Sequence, residues 1–242
     1  LSEISNWMSL PAHLNLVTQA VEKLRDSKTS WEFPLPWPAL VTAARWHDVG
    51  KSHPAFQNML LNSRTDASER RDTLWAKSGH SSNGSGTFYK KAEYWVDGAS
   101  ARENRVGFRH EFASALAWLH HSGHEADANL IAFLIAAHHG KVRVSIRSLP
   151  NEEPPADPDR LFARGVWHGD VLPAVDLGNG EIVSATPLNL DLMKLGDGEY
   201  GQSWLSRVLA LRDDSENYGP FRLSFLETIL RVADWRGTQA GE

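Results

Sequence analysis

The sequence predicts a mostly α-helical fold, and three observations carry that prediction. Apolar residues recur at helical spacing in several separate segments, and each of these is bounded by a capping or stop signal. One of them, Leu130 to Ala137, is apolar nearly all round, as a central buried helix should be. Only one stretch, Ala174 to Val183, alternates like a hairpin, with Gly178-Asn179-Gly180 at its turn. At 242 residues the chain is long enough to bury a sizeable core. Residues 1–242 read as one domain, decorated by insertion loops at about 62–107 and 141–200 and by a β-hairpin around 170–185.

The first helix is expected from Leu10 to Leu24, with Ser9 as N-cap and Pro11 in the first turn, where a missing N–H costs nothing. Its stripe is His13, Val17, Ala20 and Leu24, so a histidine heads the buried face. A second helix runs from Pro38 to Asp48 and stops at Gly50, read as a left-handed terminal residue. Leu40, Ala44 and His47 share one face of it. Residues 62–107 are polar and weakly periodic, with a Ser/Gly tract from Ser78 to Gly86 that reads as a mobile loop. A third helix spans Phe108 to His121, where His110 shares a face with the small residues Ala113, Ser114 and Ala117. The fourth, Ala126 to His139, ends at Gly140 and carries His138 and His139 on its last turn. After a Pro-rich stretch come helices at Ser203–Arg212 and Pro220–Trp235, the last placing Leu226, Ile229, Leu230, Ala233 and Asp234 on one face.

Composition narrows the chemistry. There are no cysteines, which excludes disulfides, thiolate zinc sites and cysteine nucleophiles, so any metal must sit on His, Asp and Glu. The net charge of −5 argues against a protein that holds nucleic acid by a basic surface alone. Residues 151–200 carry 3 Lys+Arg against 10 Asp+Glu, which reads as a solvated acidic excursion. No apolar run approaches the roughly 20 residues of a membrane span, and a cytoplasmic location is the expectation. The chain begins at Leu1 rather than Met, as a piece of a longer polypeptide would.

Seven ionisable residues, His13, His47, Asp48, His110, His138, His139 and Asp234, fall on inward faces or at helix ends able to converge. Any one of them alone has a plain explanation as a hydrogen-bonded core residue. Burying five imidazoles and two carboxylates together without partners would be costly, and metal coordination satisfies them all. Imidazole plus carboxylate without thiolate suits Mn, Fe, Co, Ni or Zn better than Mg. His53, His120, His121, His124 and His168 read as surface or cap residues, and His80 as an incidental loop histidine.

The order His, His-Asp, His, His-His, Asp resembles the HD superfamily of metal-dependent phosphohydrolases. More narrowly, His47-Asp48-Val49-Gly50-Lys51, then Phe56-Gln57, Arg109-His110-Glu111 and Ala137-His138-His139-Gly140-Lys141 are similar to the HD nuclease domain of the CRISPR-associated helicase-nuclease of type I systems. The opening helix at His13 and the segment Leu172 to Leu177 look like the branch whose nuclease domain follows the helicase. The resemblance implies an HD-domain helical bundle with two divalent transition-metal ions. His13, His47, Asp48 and Asp234 would hold the first, and Asp48, bridging, with His110, His138 and His139 the second. Asp48 and Lys51 would be the catalytic residues, Lys51 meeting the substrate phosphate or leaving oxygen, with Lys141 and Arg109 as further substrate contacts. After Asp234 the family often ends its last motif in Ser, whereas here Trp235-Arg236-Gly237-Thr238 follow.

The implied substrate is single-stranded DNA, cut endo- or exonucleolytically, and the implied partners are a helicase domain of the same polypeptide and a CRISPR targeting complex; since a free nuclease would endanger its host, the loops at 62–107 and 141–200 suggest control by a partner or by an inhibitor protein covering the site. Residues 62–109 hold nine Lys+Arg against six Asp+Glu, interleaved with Trp75, Phe88, Tyr89, Tyr94, Trp95 and Phe108. Such mixtures hold single strands without sequence readout, and they are equally an insertion with aromatics tucked on the core. Two other readings stay open from sequence: a mononuclear nucleotidase that needs only His13, His47, Asp48 and Asp234, and a non-catalytic HD docking module.

Overall fold

The computed structural model describes residues 7–27, 30–31, 33–62, 72–78, 93–98, 101–198 and 201–241. Among these are seven α-helices: α1 Leu10–Arg25, α2 Trp37–Trp46, α3 Pro54–Asn62, α4 His110–Ser122, α5 Ala128–Ala137, α6 Trp204–Asp213 and α7 Gly219–Ala240. The strands, β1 Met8–Ser9, β2 Trp75–Lys77, β3 Trp95–Asp97, β4 Arg102–Asn104, β5 Phe162–Ala163, β6 Val166–Trp167, β7 Val171–Leu172, β8 Val175–Asp176, β9 Ile182–Val183, β10 Thr186–Pro187, β11 Asp197–Gly198 and β12 Gly201–Gln202, form only antiparallel pairs. The protein is thus mostly α, with small hairpins at its edge. No described helix is long and apolar enough to cross a membrane.

The helix boundaries follow local chemistry. Ser9 Oγ accepts the Ala12 N–H at 3.4 Å and starts α1, and Ser203 Oγ accepts the Ser206 N–H at 3.2 Å and starts α6. Gly140, at φ +69°, releases the chain after α5. Every residue of α5 from Leu130 to Ala137 is buried, and α4 and α2 pack on it. The first helix lies between α2 and the last helix. At the closest approach of α1 and α7, a Cβ on Gly237 would come within 2.7 Å of Val17 Cγ2 and 2.8 Å of Val17 N, so only glycine lets the helices meet. One core cluster runs through all seven helices and the hairpins of residues 162–190.

Four details depart from the sequence reading. The helix expected to end at Gly50 ends at Trp46, and the chain continues through a 3-10 turn, Val49–Ser52. Gly50 is right-handed there and serves close packing instead: a Cβ would lie 2.7 Å from Ser114 N and 2.9 Å from Ala113 Cβ. The helix α3 and the pair β3–β4 were not foreseen, and α7 extends five residues beyond Trp235. The 151–200 segment is not a purely solvated excursion, since Glu152 and Asp170 are buried within it. His53, read as a surface or cap residue, is 1% exposed. It does cap α3, accepting the Ala55 N–H, but its other nitrogen donates to Asp170 Oδ2 at 3.1 Å. The expected hairpin is present as β8–β9, Val175 pairing with Val183. Most of the Ser/Gly tract, with His80, Phe88 and Tyr89, lies outside the described residues.

Candidate metal centre

The centre is assembled from five helices. α1 supplies His13, the end of α2 supplies His47 and Asp48, the first residue of α4 is His110, the end of α5 supplies His138 and His139, and α7 supplies Asp234. These seven side chains fall into two groups that share Asp48. In one, His13, His47, Asp48 and Asp234 each offer a donor atom within 4.8 Å of the others; in the second, Asp48, His110, His138 and His139 do the same.

Asp48 faces both ways. Its Oδ2 lies 2.9 Å from His13 Nε2, 3.3 Å from His47 Nε2 and 2.6 Å from Lys51 Nζ. Its Oδ1 lies 3.0 Å from His110 Nε2 and 3.9 Å from His138 Nε2. Asp234 Oδ1 approaches His13 Nε2 at 3.2 Å and His47 Nε2 at 3.8 Å, and the Nε2 atoms of His110 and His139 are 3.2 Å apart. His13, His47, Asp48 and His138 are at most 1% exposed, while His139 is the open member.

Two imidazoles are held from behind. The Nδ1–H of His47 donates to Ala44 O at 2.7 Å, and that of His138 to Ile135 O at 2.6 Å. In each case the carbonyl is among the last of its helix, where no helical N–H claims it. That bond leaves Nε2 as the basic atom pointing inward.

The donor set fits cations. The Nε2 atoms of His13, His47 and His138, with Asp48 Oδ1 and Asp234 Oδ1, are buried and lack hydrogen-bond partners, although they crowd within about 4 Å of each other. Close atoms without hydrogen-bonding directions aim their lone pairs at shared points, and leaving them so would cost several kcal/mol without a positive charge between them.

The electrostatics agree. Burial alone would raise the Asp48 carboxyl, but the charges of His47, Lys51 and His110 outweigh it and hold Asp48 well below the usual carboxylate range. Burial likewise opposes ionisation of Asp234, and contact with His13 and His47 overcomes it. Desolvation would lower His47, yet Asp48 and Asp234 push it up to about 9. His138 is driven well down by desolvation and by His139. His139 presents an edge to solvent, but the protein packed around it and the neighbouring His110 lower it to about 4. The two carboxylates thus attract positive charge into one end of the centre, while His138 and His139 at the other end stay neutral and available as ligands.

Around this centre the predicted substrate residues are spread out. Lys51 is buried against Asp48, its Nζ 5.6 Å from the centre of the Phe56 ring. Lys141 is exposed and Arg109 half-buried. Of the aromatics expected to hold a strand, Phe108 is buried on His53 and Tyr94 packs on Phe56, so these two build the core. Trp75 and Trp95 are half-exposed, the second with Arg102 over its ring at 3.8 Å.

Three contributors escaped the sequence reading. Ser114 Oγ accepts the Gly50 N–H at 2.7 Å and donates to His110 O at 2.9 Å, tying the turn that carries Asp48 to the helix that carries His110. Its smallness beside His110 was visible, its hydrogen bonds were not. Thr238 donates to Asp234 O and meets Lys77, so the residue at the end of the last motif turns its hydroxyl to the helix and not to the centre. Glu111 is buried beside His110. Its signal was an acidic residue opening a helix that is otherwise apolar down to Trp118.

Among known families, the model described as Cas3, HD domain, matches residues 2–239. No curated protein and no solved structure matches the chain.

Proposed function

The chain belongs to the Cas3 HD-domain family, an HD phosphohydrolase and nuclease family of CRISPR defence, and on that premise we propose that it hydrolyses the phosphodiesters of single-stranded DNA at a dinuclear metal centre. The observation that carries this reading is the division of the site into two ligand groups that share one carboxylate. A mononuclear nucleotidase would need only the first group; here His110, His138 and His139 gather a second around the other oxygen of Asp48.

His13, His47, Asp48 and Asp234 would hold one ion, and Asp48, His110, His138 and His139 the other. Divalent cations held by these residues would supply Lewis-acid chemistry for an in-line displacement at a phosphodiester. The donors, all imidazole and carboxylate, favour Mn, Fe, Co, Ni or Zn over Mg. The protein's own task is to fix these ligands before substrate arrives. The backbone bonds behind His47 and His138 do this for two of them. Lys51, buried on Asp48, carries a positive charge to the edge of the centre, where it meets the scissile phosphate or the leaving oxygen. Trp75 and Trp95, both half-exposed, would be the aromatic surfaces beside which bases of a single strand stack. Lys141, exposed, and Arg109, half-buried, would be outer phosphate contacts.

The single core that threads all the helices supports reading residues 1–242 as one nuclease domain. The family setting supports a helicase domain of the same polypeptide and a CRISPR targeting complex that delivers DNA as its partners, and an inhibitor protein is a further expected partner. Because an unrestrained nuclease endangers its host, cleavage of free DNA should be weaker than cleavage within the interference complex. Equal rates in the two settings would count against such control.

The decisive experiment is cleavage of single- and double-stranded DNA with each of Mn, Fe, Co, Ni and Zn, using Asp48→Ala as control. Cleavage of the single strand that the substitution abolishes supports the proposal. Protein that binds no ion and cuts nothing with any of these metals returns the docking-module reading.

A further inference from the structure

Three of the imidazoles that lie at helix ends, His47, His110 and His138, are not all held in the same way. His47 and His138 follow the last turns of α2 and α5, and each finds a free carbonyl three residues back for its Nδ1–H. His110 is the first residue of α4, so no helical turn precedes it and no such carbonyl exists. Its Nε2 is turned into the centre, 3.0 Å from Asp48 Oδ1 and 3.2 Å from His139 Nε2. Its Nδ1 points the other way, to Glu111 Oε2 at 3.6 Å.

Glu111 has no hydrogen-bond partner of its own in the structure. It is 1% exposed, and neither of its carboxylate oxygens has a hydrogen-bond partner. A buried carboxylate left in that state costs several kcal/mol, so it requires a donor. The distance of 3.6 Å is a few tenths of an ångström beyond hydrogen-bond reach, a gap that a small rotation of the Glu111 side chain closes.

We propose that Glu111 is the positioning residue of the second ligand group: it accepts the Nδ1–H of His110 and thereby presents a basic Nε2 to the cation. It takes the part that the helix-end carbonyls play for His47 and His138. Ligating histidines are commonly oriented in this way by an outer carboxylate, which also raises their basicity. The inference rests on the two-ion reading above. The competing account is that Glu111 only complements the positive end of α4.

The test uses the whole protein carrying Glu111→Ala or the isosteric Glu111→Gln, with two readouts: calorimetric titration with Mn or Co, and nitrogen NMR of the His110 ring in metal-free protein. For Glu111→Ala the expected result is a loss of about 10- to 100-fold in affinity for one ion only, with the other unchanged. The His110 ring should pass from the Nδ1–H tautomer to a mixture. Glu111→Gln keeps an acceptor oxygen without the charge, so it should keep the tautomer and lose less affinity; it also serves if the alanine variant does not fold. Unchanged affinities with an unchanged tautomer would overturn the proposal. So would an equal weakening of both ions, which is what a helix-stabilising role predicts. If wild-type protein takes a single ion, the two-ion reading fails, and the His110 tautomer in the two variants then decides the role of Glu111 by itself.

Discussion

Asp48 offers one oxygen to each ligand group, so its removal should do more than remove one donor. Asp48→Ala is expected to reduce metal content from two ions toward none and to cut nuclease activity by more than the about 10- to 100-fold typical of an outer-sphere change. Metal analysis of the purified variant beside a cleavage assay checks both. His139→Ala separates the two groups: the first should keep its ion while the second loses affinity and DNA cleavage falls. Retention of full cleavage by that variant would instead favour a mononuclear enzyme. The identity of these residues was legible because polar groups interrupt apolar stripes, as His13 does above Val17 and Asp234 does below Leu230. What could not be read at this scale was pairing across distance. His53 sits between Ser52 and Pro54 with no apolar period to mark it as buried, and its partner Asp170 is 117 positions away.

The elements place these residues through contacts only a few atoms wide. The turn Val49–Ser52 and helix α4 meet at Gly50, whose N–H ends on Ser114 Oγ. Ser114→Ala should leave that N–H buried and unsatisfied, costing about 1–3 kcal/mol in urea denaturation. Gly50→Ala should cost at least as much, since overpacking at a close contact typically costs about 1–3 kcal/mol, and it should weaken cleavage by shifting Asp48 relative to His110. A variant as stable and active as wild type would refute this account of Gly50. Long helices were legible because they repeat their apolar positions over several turns. The nine-residue α3 and the strands of two or three residues were not, because so few residues give no period to count and their pairing is set by tertiary contact. Gly50 misled for a related reason: a glycine after a helix commonly terminates it, and nothing local reveals that another helix approaches there.

Across the whole molecule, the segment after α5 is fastened to the body by a buried ion cluster. Asp170 receives His53 at 3.1 Å, Arg105 at 2.8 and 3.2 Å, Arg160 at 3.3 Å and the Trp167 N–H at 2.8 Å. Burial opposes its ionisation, but His53 and Arg105 overcome that and hold Asp170 below the usual carboxylate range. A carboxyl lowered on folding stabilises the protein above its unfolded pKa of about 4, and that contribution fades as pH falls through the lower folded value. Urea midpoints followed downward from pH 6 should therefore drop below about pH 4. In Asp170→Asn this acid-dependent part should be absent. The same substitution should cost up to about 3–5 kcal/mol at neutral pH, because buried Arg105 would keep only Glu103, at 3.0 Å, as a charge partner. An unchanged midpoint at pH 6 would show that the cluster contributes nothing.

The close packing of α1 on α7 has a consequence in time. His13 comes from the first helix of the fold and Asp234 from the last, and they meet only once Gly237 has settled against Val17. A ribosome releases these helices more than two hundred residues apart. A nascent chain holding every histidine of the centre still lacks the carboxylate that closes the first ligand group. The first ligand group is therefore completed only once α7 has been made, and a product truncated before α7 carries every histidine of the centre without Asp234.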